Sequence, residues 1–298
     1  MSHSLEVAGV FSVLPTAFRS DGALDLDGTA ALVRATVAAG VTGLTVLGVM
    51  GEADELSEDE RQQVVSCVNA TTDLPIIAGV SGASASIVAG RARAAERAGV
   101  AGVMISPART LHLADAVAAA AEAGLPIIIQ DYPAGSGVTL TAEDVIAVAS
   151  DQPLVVGVKA EAPPTSGSIA TMRAALPRLG VVGGLGGLFL IDELRAGATG
   201  VMTGFALPER LVAIVETFPT DPESAARDWA RLLPLMRLEA FQPFSLAARK
   251  EVWRLRGVIH SSFCRRPGAR LDDRARDDIQ HAFEDVAPRQ VPADAMKR

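Results

Sequence analysis

Cysteine and histidine are scarce in this chain. Cys67 and Cys264 stand far apart, which argues against a disulfide framework or a zinc site and fits a reducing compartment. His3, His112, His260 and His281 show no metal-ligand spacing. No Gly-x-Gly-x-x-Gly opens a helix after a strand. The run Gly183-Gly184-Leu185-Gly186-Gly187 lacks the Lys-Ser/Thr of a phosphate-binding loop. Neither a metal nor an organic cofactor is therefore expected. Long apolar runs are also missing, and none approaches the roughly 20 residues of a membrane span. The stretch from Met1 to Phe11 has no basic head, apolar run or cleavage site of a signal peptide, so a cytoplasmic location is expected. Positive charge is in deficit, with 27 Lys and Arg against 35 Asp and Glu and a net charge of −8. That argues against nucleic acid as a partner, because neutralising phosphates takes clustered cations. Arg265, Arg266 and Arg270 do cluster, but acidic residues follow at once and the segment reads as a solvated helix face.

What the chain has is apolar content: 49% hydrophobic residues and a positive mean hydropathy, enough for a large core. Short apolar runs recur at Gly9–Pro15, Gly43–Gly48, Pro75–Val80, Ala101–Ser106, Pro126–Gln130, Leu154–Lys159, Gly180–Gly183 and Ala198–Thr203. They are rich in Val and Ile and show little polar alternation, as strands buried on both faces do. The segments between them are helical in pattern, and several end in glycine (Gly40, Gly99, Gly124, Gly197), the residue that most easily closes a last helical turn. Eight strands alternating with helices predict a (β/α)8 TIM barrel over 1–215, with a doubly wound open sheet as the rival. Residues 216–298 read as a C-terminal helical extension of the same domain. Its helices fall near Glu223–Ala240, Ser245–Gly257 and Asp272–Val286. Pro234 is expected to kink or split the first of these, and the polar tail from Ala287 is expected to fray.

Lys159 ends the sixth apolar run, Leu154-Val155-Val156-Gly157-Val158-Lys159. Lysine is rarely buried without a reason, and barrel active sites lie at the C-terminal ends of strands. An amine taken out of water sheds its charge more readily and can attack a ketone. Position alone leaves open an exposed lysine capping the strand.

Several motifs together resemble the dihydrodipicolinate synthase / N-acetylneuraminate lyase family. They are Leu14-Pro15-Thr16-Ala17-Phe18 with Asp21-Gly22, then Gly48-Val49-Met50-Gly51-Glu52 with Leu56-Ser57 and Glu60-Arg61. Further matches are Ile77-Ala78-Gly79, Val156-Gly157-Val158-Lys159, Gly197 to Gly204 with Pro208, and Arg265-Arg266-Pro267. The resemblance spans nearly the whole chain. It implies a class I lyase or aldolase, with Lys159 forming a Schiff base with a small-molecule 2-oxo acid, and a homo-oligomer, tetramer or dimer. The Gly48–Gly51 turn, through backbone N–H groups of Val49, Met50 and Gly51, is the candidate cradle for the substrate carboxylate.

The departures from the family pattern bear on function. Where family members that make dihydrodipicolinate carry Tyr-Asn-x-Pro, this chain reads Gln130-Asp131-Tyr132-Pro133, with Gln130 at the tyrosine position. Glutamine cannot act as an acid or base near neutral pH, but it can hydrogen-bond near the ketone-derived carbon. The family's loop threonines become Val49 and Met50, its second tyrosine aligns near Arg109, and its carboxylate-binding arginine aligns with Gly135. Tyr132 is the only tyrosine, so a family-type tyrosine pair is impossible within the chain. An authentic dihydrodipicolinate synthase is therefore not expected.

The lost proton relay needs a replacement. Residues two apart on a strand share a face, so Glu161 is expected to point with Lys159, although the family usually places a glutamate directly after the lysine, where Ala160 stands. Glu161 is the candidate acid and base, and a surface residue before Pro163-Pro164 if the strand ends first. Tyr132 is a second candidate for that role, and Arg109 a candidate for an acidic group of the substrate. Gly184, Ser81 and Thr203 are candidates to meet sugar hydroxyls. Two outcomes fit an iminium on Lys159: retro-aldol cleavage, or dehydration of a 2-oxo-3-deoxy sugar acid, as in sugar-acid dehydratases of this fold. The alternative of another class is a catalytically retired, ligand-binding member of the same family.

Overall fold

The computed structural model of the chain describes residues 5–240 and 244–287. Eight strands form a closed parallel barrel in sequence order: β1 Gly9–Val13, β2 Gly43–Val46, β3 Ile76–Gly79, β4 Gly102–Ile105, β5 Ile127–Asp131, β6 Val155–Ala160, β7 Gly180–Gly183 and β8 Gly200–Thr203. Closure is through β1, which pairs with β2 at Phe11↔Gly43 and with β8 at Gly9↔Gly200. Each apolar run overlaps one strand, β5 and β6 running one residue past theirs, and among the described residues the sheet closes on itself rather than staying open. Through the barrel the helices are α1 Leu26–Ala38, α2 Glu58–Asn69, α3 Ala85–Arg97, α4 Leu113–Ala121, the short α5 Pro133–Ser136, α6 Ala142–Asp151, α7 Thr165–Ala175, α8 Leu190–Arg195 and α9 Pro208–Thr217. Then follow α10 Pro222–Ala240, α11 Ser245–Leu255 and α12 Asp273–Val286.

Local chemistry sets these boundaries. Ser57 with Glu60, and Thr141 with Asp144, form reciprocal capping boxes at the starts of α2 and α6. Gly40, Gly99, Gly124 and Gly197 all have positive φ where the sequence places helix exits. Phe11, Val13, Ile77, Met104, Ile128, Val182 and Met202 form a core of their own, apart from the larger cluster between strands and helices. That split follows strand parity: Ile128 lies inside, so Gln130 two residues on does too. Register pairs Gln130 with Lys159 and Lys159 with Val182, which puts the lysine on the interior side.

The C-terminal helices pack on the barrel. The Trp229 indole on α10 donates to the Gly187 carbonyl at 2.9 Å, and Ser245 to Trp253 of α11 are all buried. Pro234 does not split α10, which runs unbroken from Pro222 to Ala240. Its ring lies on the exposed face, where the carbonyl that loses its partner can meet water, while buried Leu232, Leu235 and Met236 hold the helix down. The basic cluster is not a solvated helix face. Arg265 and Arg266 precede α12 in a loop, and Arg265 reaches Glu60 at 2.6 Å and the carbonyls of Gly22 and Glu55 at 2.9 and 3.0 Å. That contact holds the Glu60 carboxyl down at about 2. Most of the tail, from Pro288, lies outside the described residues.

One buried ion pair ties extension to barrel. Lys250 on α11 meets Glu52, directly after the glycine turn, at 2.5 Å, and both side chains are fully buried. Lys250 also donates to the Phe263 carbonyl at 2.9 Å, and the Arg266 amide donates to the second Glu52 oxygen at 2.7 Å. Removing one partner strands the other charge. Lys250→Met should destabilise the protein by about 3–5 kcal/mol in urea unfolding, and adding Glu52→Gln should recover part of that loss. A single variant within about 0.5 kcal/mol of wild type would contradict the pairing.

Candidate active site

The site is assembled where β5, β6 and β7 end. Lys159 is the penultimate residue of β6, and the ladder continues one residue further because the Glu161 amide donates to the Asp131 carbonyl at 2.8 Å. Strand parity therefore still holds at Glu161. Lys159 Nζ lies 2.9 Å from Glu161 Oε2, and the two residues are 5% and 6% exposed. Gln130 Nε2 donates to the same oxygen at 2.7 Å, and the Leu185 amide donates to Oε1 at 3.0 Å. Gly184 makes room for this, since a Cβ there would fall 2.3 Å from Glu161 Oε1. Glu161 is held by a cation, an amide side chain and a backbone N–H, an arrangement that can accept, hold and return a proton beside the amine.

A cavity of about 130 Å³ opens over this group. Val13, Met50, Met104 and Leu188 supply apolar wall, while Gln130, Tyr132, Thr203 and Arg249 bring polar groups. A second cavity of about 440 Å³ adjoins it across Gly48, Val49, Met104, Gln130 and Tyr132, and contains Ser81. Tyr132 leaves the strand at φ −129°, is half-buried and borders both cavities.

The structure brings Lys159, Glu161, Gln130, Gly48, Val49, Met50 and Tyr132 together around the first cavity. Three other candidates sit elsewhere. Gly51 does not line it: its amide closes the turn on the Gly48 carbonyl at 2.9 Å, and its own carbonyl accepts from Thr16 Oγ1 at 2.7 Å. Gly184 lies beneath Glu161 and serves by lacking a side chain. Arg109 lines neither cavity. Ala108 and Leu111 close a tight turn through paired 3.0 Å backbone bonds, leaving Arg109 exposed with its guanidinium against Gly137.

Two further carboxyls stand behind the pair. Glu193 on α8 packs onto Gly183, accepts from Thr165 Oγ1 at 2.8 Å, and leaves Oε2 without a hydrogen-bond partner. Burial, with Glu161 nearby, pushes it up to about 7 although the Thr165 bond pulls the other way. Asp131 is pushed up to about 6 by burial and by Glu161.

Arg249 went unnoticed in the sequence because it lies 90 residues beyond Lys159, in a helix whose spacing reads as ordinary core. It is 6% exposed and borders the first cavity. Its Nε lies 3.5 Å from Glu239 Oε2, and Glu239 in turn accepts from the Ala206 amide at 3.2 Å. Among the described residues, no group of three or more His, Cys, Asp or Glu is placed to hold a metal, and no helix is long and apolar enough to cross a membrane.

The profile of the Dihydrodipicolinate synthetase family matches residues 6–286. The chain belongs to that family. As a member it is a lyase of the class I aldolase type. Among relatives of this member, the 4-hydroxy-tetrahydrodipicolinate synthase of Sorangium cellulosum is 33% identical over 238 residues, covering 75% of this chain and 77% of the relative. The L-2-keto-3-deoxyarabonate dehydratase of Azospirillum brasilense is 31% identical over 289 residues, covering 91% and 92%. The crystal structure of the dihydrodipicolinate synthase from Rhodopseudomonas palustris superposes with a TM-score of 0.89 at 33% identity, covering 95% and 99%.

The buried Glu193 carboxyl makes stability fall with pH. A raised folded value means the native state binds the proton more tightly than the unfolded chain. That contribution is complete below the ordinary 4.5 and is lost as pH rises through about 7. Glu193→Gln should match wild type in chemical denaturation near pH 4 and exceed it at pH 8, by at most about 3 kcal/mol. Equal stability at pH 8 would refute the assignment.

Proposed function

We propose that this lyase dehydrates a 2-oxo-3-deoxy sugar acid through a Schiff base on Lys159, with Glu161 as acid and base. The observation that carries this is the 2.9 Å contact between Lys159 Nζ and Glu161 Oε2 inside the barrel mouth. At rest the two form an ion pair. Passing one proton from nitrogen to oxygen leaves a neutral amine beside a neutral acid. The amine adds to the ketone carbon, and Glu161 returns the proton to the departing hydroxyl, which leaves as water with the iminium formed. Glu161, again a carboxylate, takes a proton from C3, and the electron pair runs into the iminium to give an enamine. Return of that proton to the hydroxyl on C4 expels a second water and leaves an unsaturated iminium, which hydrolysis releases from Lys159.

The position of Glu161 supports proton removal at C3 over retro-aldol cleavage. C3 is two bonds from Nζ, within reach of an oxygen that touches Nζ, whereas retro-aldol cleavage needs a base at the more distant C4 hydroxyl. The dehydratase relative, aligned over 91% of the chain, points the same way. Gln130 fixes the Glu161 oxygen that faces the amine. The backbone amides of the Gly48–Met50 turn take the C1 carboxylate. Absence of the family's tyrosine relay argues against dihydrodipicolinate synthesis, and a paired, buried Lys159 argues against a retired binding protein. On family membership we also propose a homo-oligomeric assembly, tetramer or dimer.

Incubation with pyruvate and borohydride, followed by intact mass and peptide mapping, should give one stable adduct on Lys159 and none in Lys159→Arg. With 2-oxo-3-deoxy sugar acids, loss of water without carbon–carbon cleavage should be the product signature, and Glu161→Gln should lower turnover about 10²- to 10⁴-fold. Release of pyruvate plus an aldehyde would make the enzyme an aldolase. No adduct with any 2-oxo acid would end the Schiff-base account.

A further inference from the structure

The cavity wall carries a cation that the dehydration steps above do not use. The Arg249 guanidinium lies over two glycines that follow β7 and β8. A Cβ at Gly186 would stand 3.2 Å from Nη2, and one at Gly204 would stand 3.4 Å from Nη1. The missing side chains let both loop backbones pack against the guanidinium while it keeps its place on the cavity wall. Its buried Nε has no hydrogen-bond partner among the described residues. The contact with Glu239 is 3.5 Å, and both Glu239 oxygens are turned to the Ala206 amide at 3.4 and 3.2 Å. Burial pushes the Glu239 carboxyl up to about 8 even with Arg249 beside it, which weakens that carboxylate as a counter-ion. A guanidinium has five donors in a planar fork whose natural complement is a carboxylate held by two bonds. Burying donors that are not fully hydrogen-bonded costs free energy that an arriving anion can offset.

Placement around the barrel tells which part of the substrate this is. The glycine turn follows β2, Lys159 lies one residue before the end of β6, and Arg249 stands over the exits of β7 and β8. With C1 on the turn and C2 bonded to Lys159, the rest of the chain runs toward the third side of the mouth. We propose that Arg249 grips a carboxylate at the far end of the substrate, so that the substrate is a 2-oxo acid with a second acidic group. This rests on the Schiff-base assignment above and adds a specificity residue from the C-terminal helices.

Borohydride trapping tests both layers separately. The measurement is the concentration of 2-oxo acid that half-labels the protein. Probes are pyruvate, the diacids 2-oxoglutarate and 2-oxoadipate, and the uncharged-ended 2-oxopentanoate and 2-oxohexanoate. Wild type should half-label with at least one diacid at a concentration about 10- to 100-fold below that of its uncharged-ended counterpart. Arg249→Gln should erase that preference while pyruvate labelling stays within about threefold of wild type, which also shows that the variant is folded. Arg249→Lys should restore part of the preference. The proposal is overturned if wild type labels with pyruvate but does not prefer either diacid, or if the preference survives in Arg249→Gln. It is also overturned if Arg249→Gln weakens pyruvate as much as the diacids, since Arg249 would then hold C1. Failure of wild type to trap even pyruvate would remove the Schiff-base assignment, and this inference with it.

Discussion

Two opposite charges lie buried in the mouth of this barrel, and the surrounding structure is arranged to keep them 2.9 Å apart. Burying Lys159 and Glu161 costs several kcal/mol per ion unless each is paired and hydrogen-bonded. The pairing depends on backbone detail at several points. β6 must hold its extended course one residue beyond Lys159, which the Glu161–Asp131 backbone bond ensures. Gln130 must sit opposite Lys159, which the β5–β6 register provides. Gly184 must lack a side chain, and Leu185 must turn its amide inward. A fault in any of these leaves a buried charge uncompensated, so the fold and the candidate chemistry share the same constraint.

A second ion pair fixes the opposite side of the mouth. Glu52, in a left-handed backbone conformation after the glycine turn, is clamped by Lys250 and by the Arg266 amide, while Arg266 Nη2 donates to the Val49 carbonyl at 3.1 Å. The C-terminal helices thus set the pose of the turn that faces Lys159. The helix that supplies Lys250 also supplies Arg249, one residue earlier and on the cavity wall. The extension is part of the site as well as a support for it.

Much of this was legible in the sequence because it follows from periodicity. Buried parallel strands read as apolar runs, and helix exits read as glycines, which the positive φ at Gly40, Gly99, Gly124 and Gly197 explains. The placement of Glu161 beside Lys159 came from strand parity alone. A glutamate at the next residue, where Ala160 stands, would face outward from the barrel; there Glu193 reaches in from α8 instead. Less legible was anything decided by contacts between distant segments. Arg249 looked like a core-helix residue until α11 was seen to lie over the mouth. Arg265 looked like solvated charge until Glu60 came within reach. Gly51 and Arg109 lie off the first cavity because turn geometry, rather than residue type, decides which way a loop faces. Pro234 failed to break its helix because its face is exposed and its neighbours are buried.

The central claim is that Glu161 moves protons at the carbon next to the ketone bound to Lys159. Proton NMR of pyruvate in D2O measures this directly, since an enzyme that forms the iminium and then the enamine washes deuterium into the methyl group. The account predicts catalysed exchange by wild type, none by Lys159→Arg, and in Glu161→Gln an adduct that still forms while exchange falls by about 10² or more. Exchange at the wild-type rate in Glu161→Gln would contradict it.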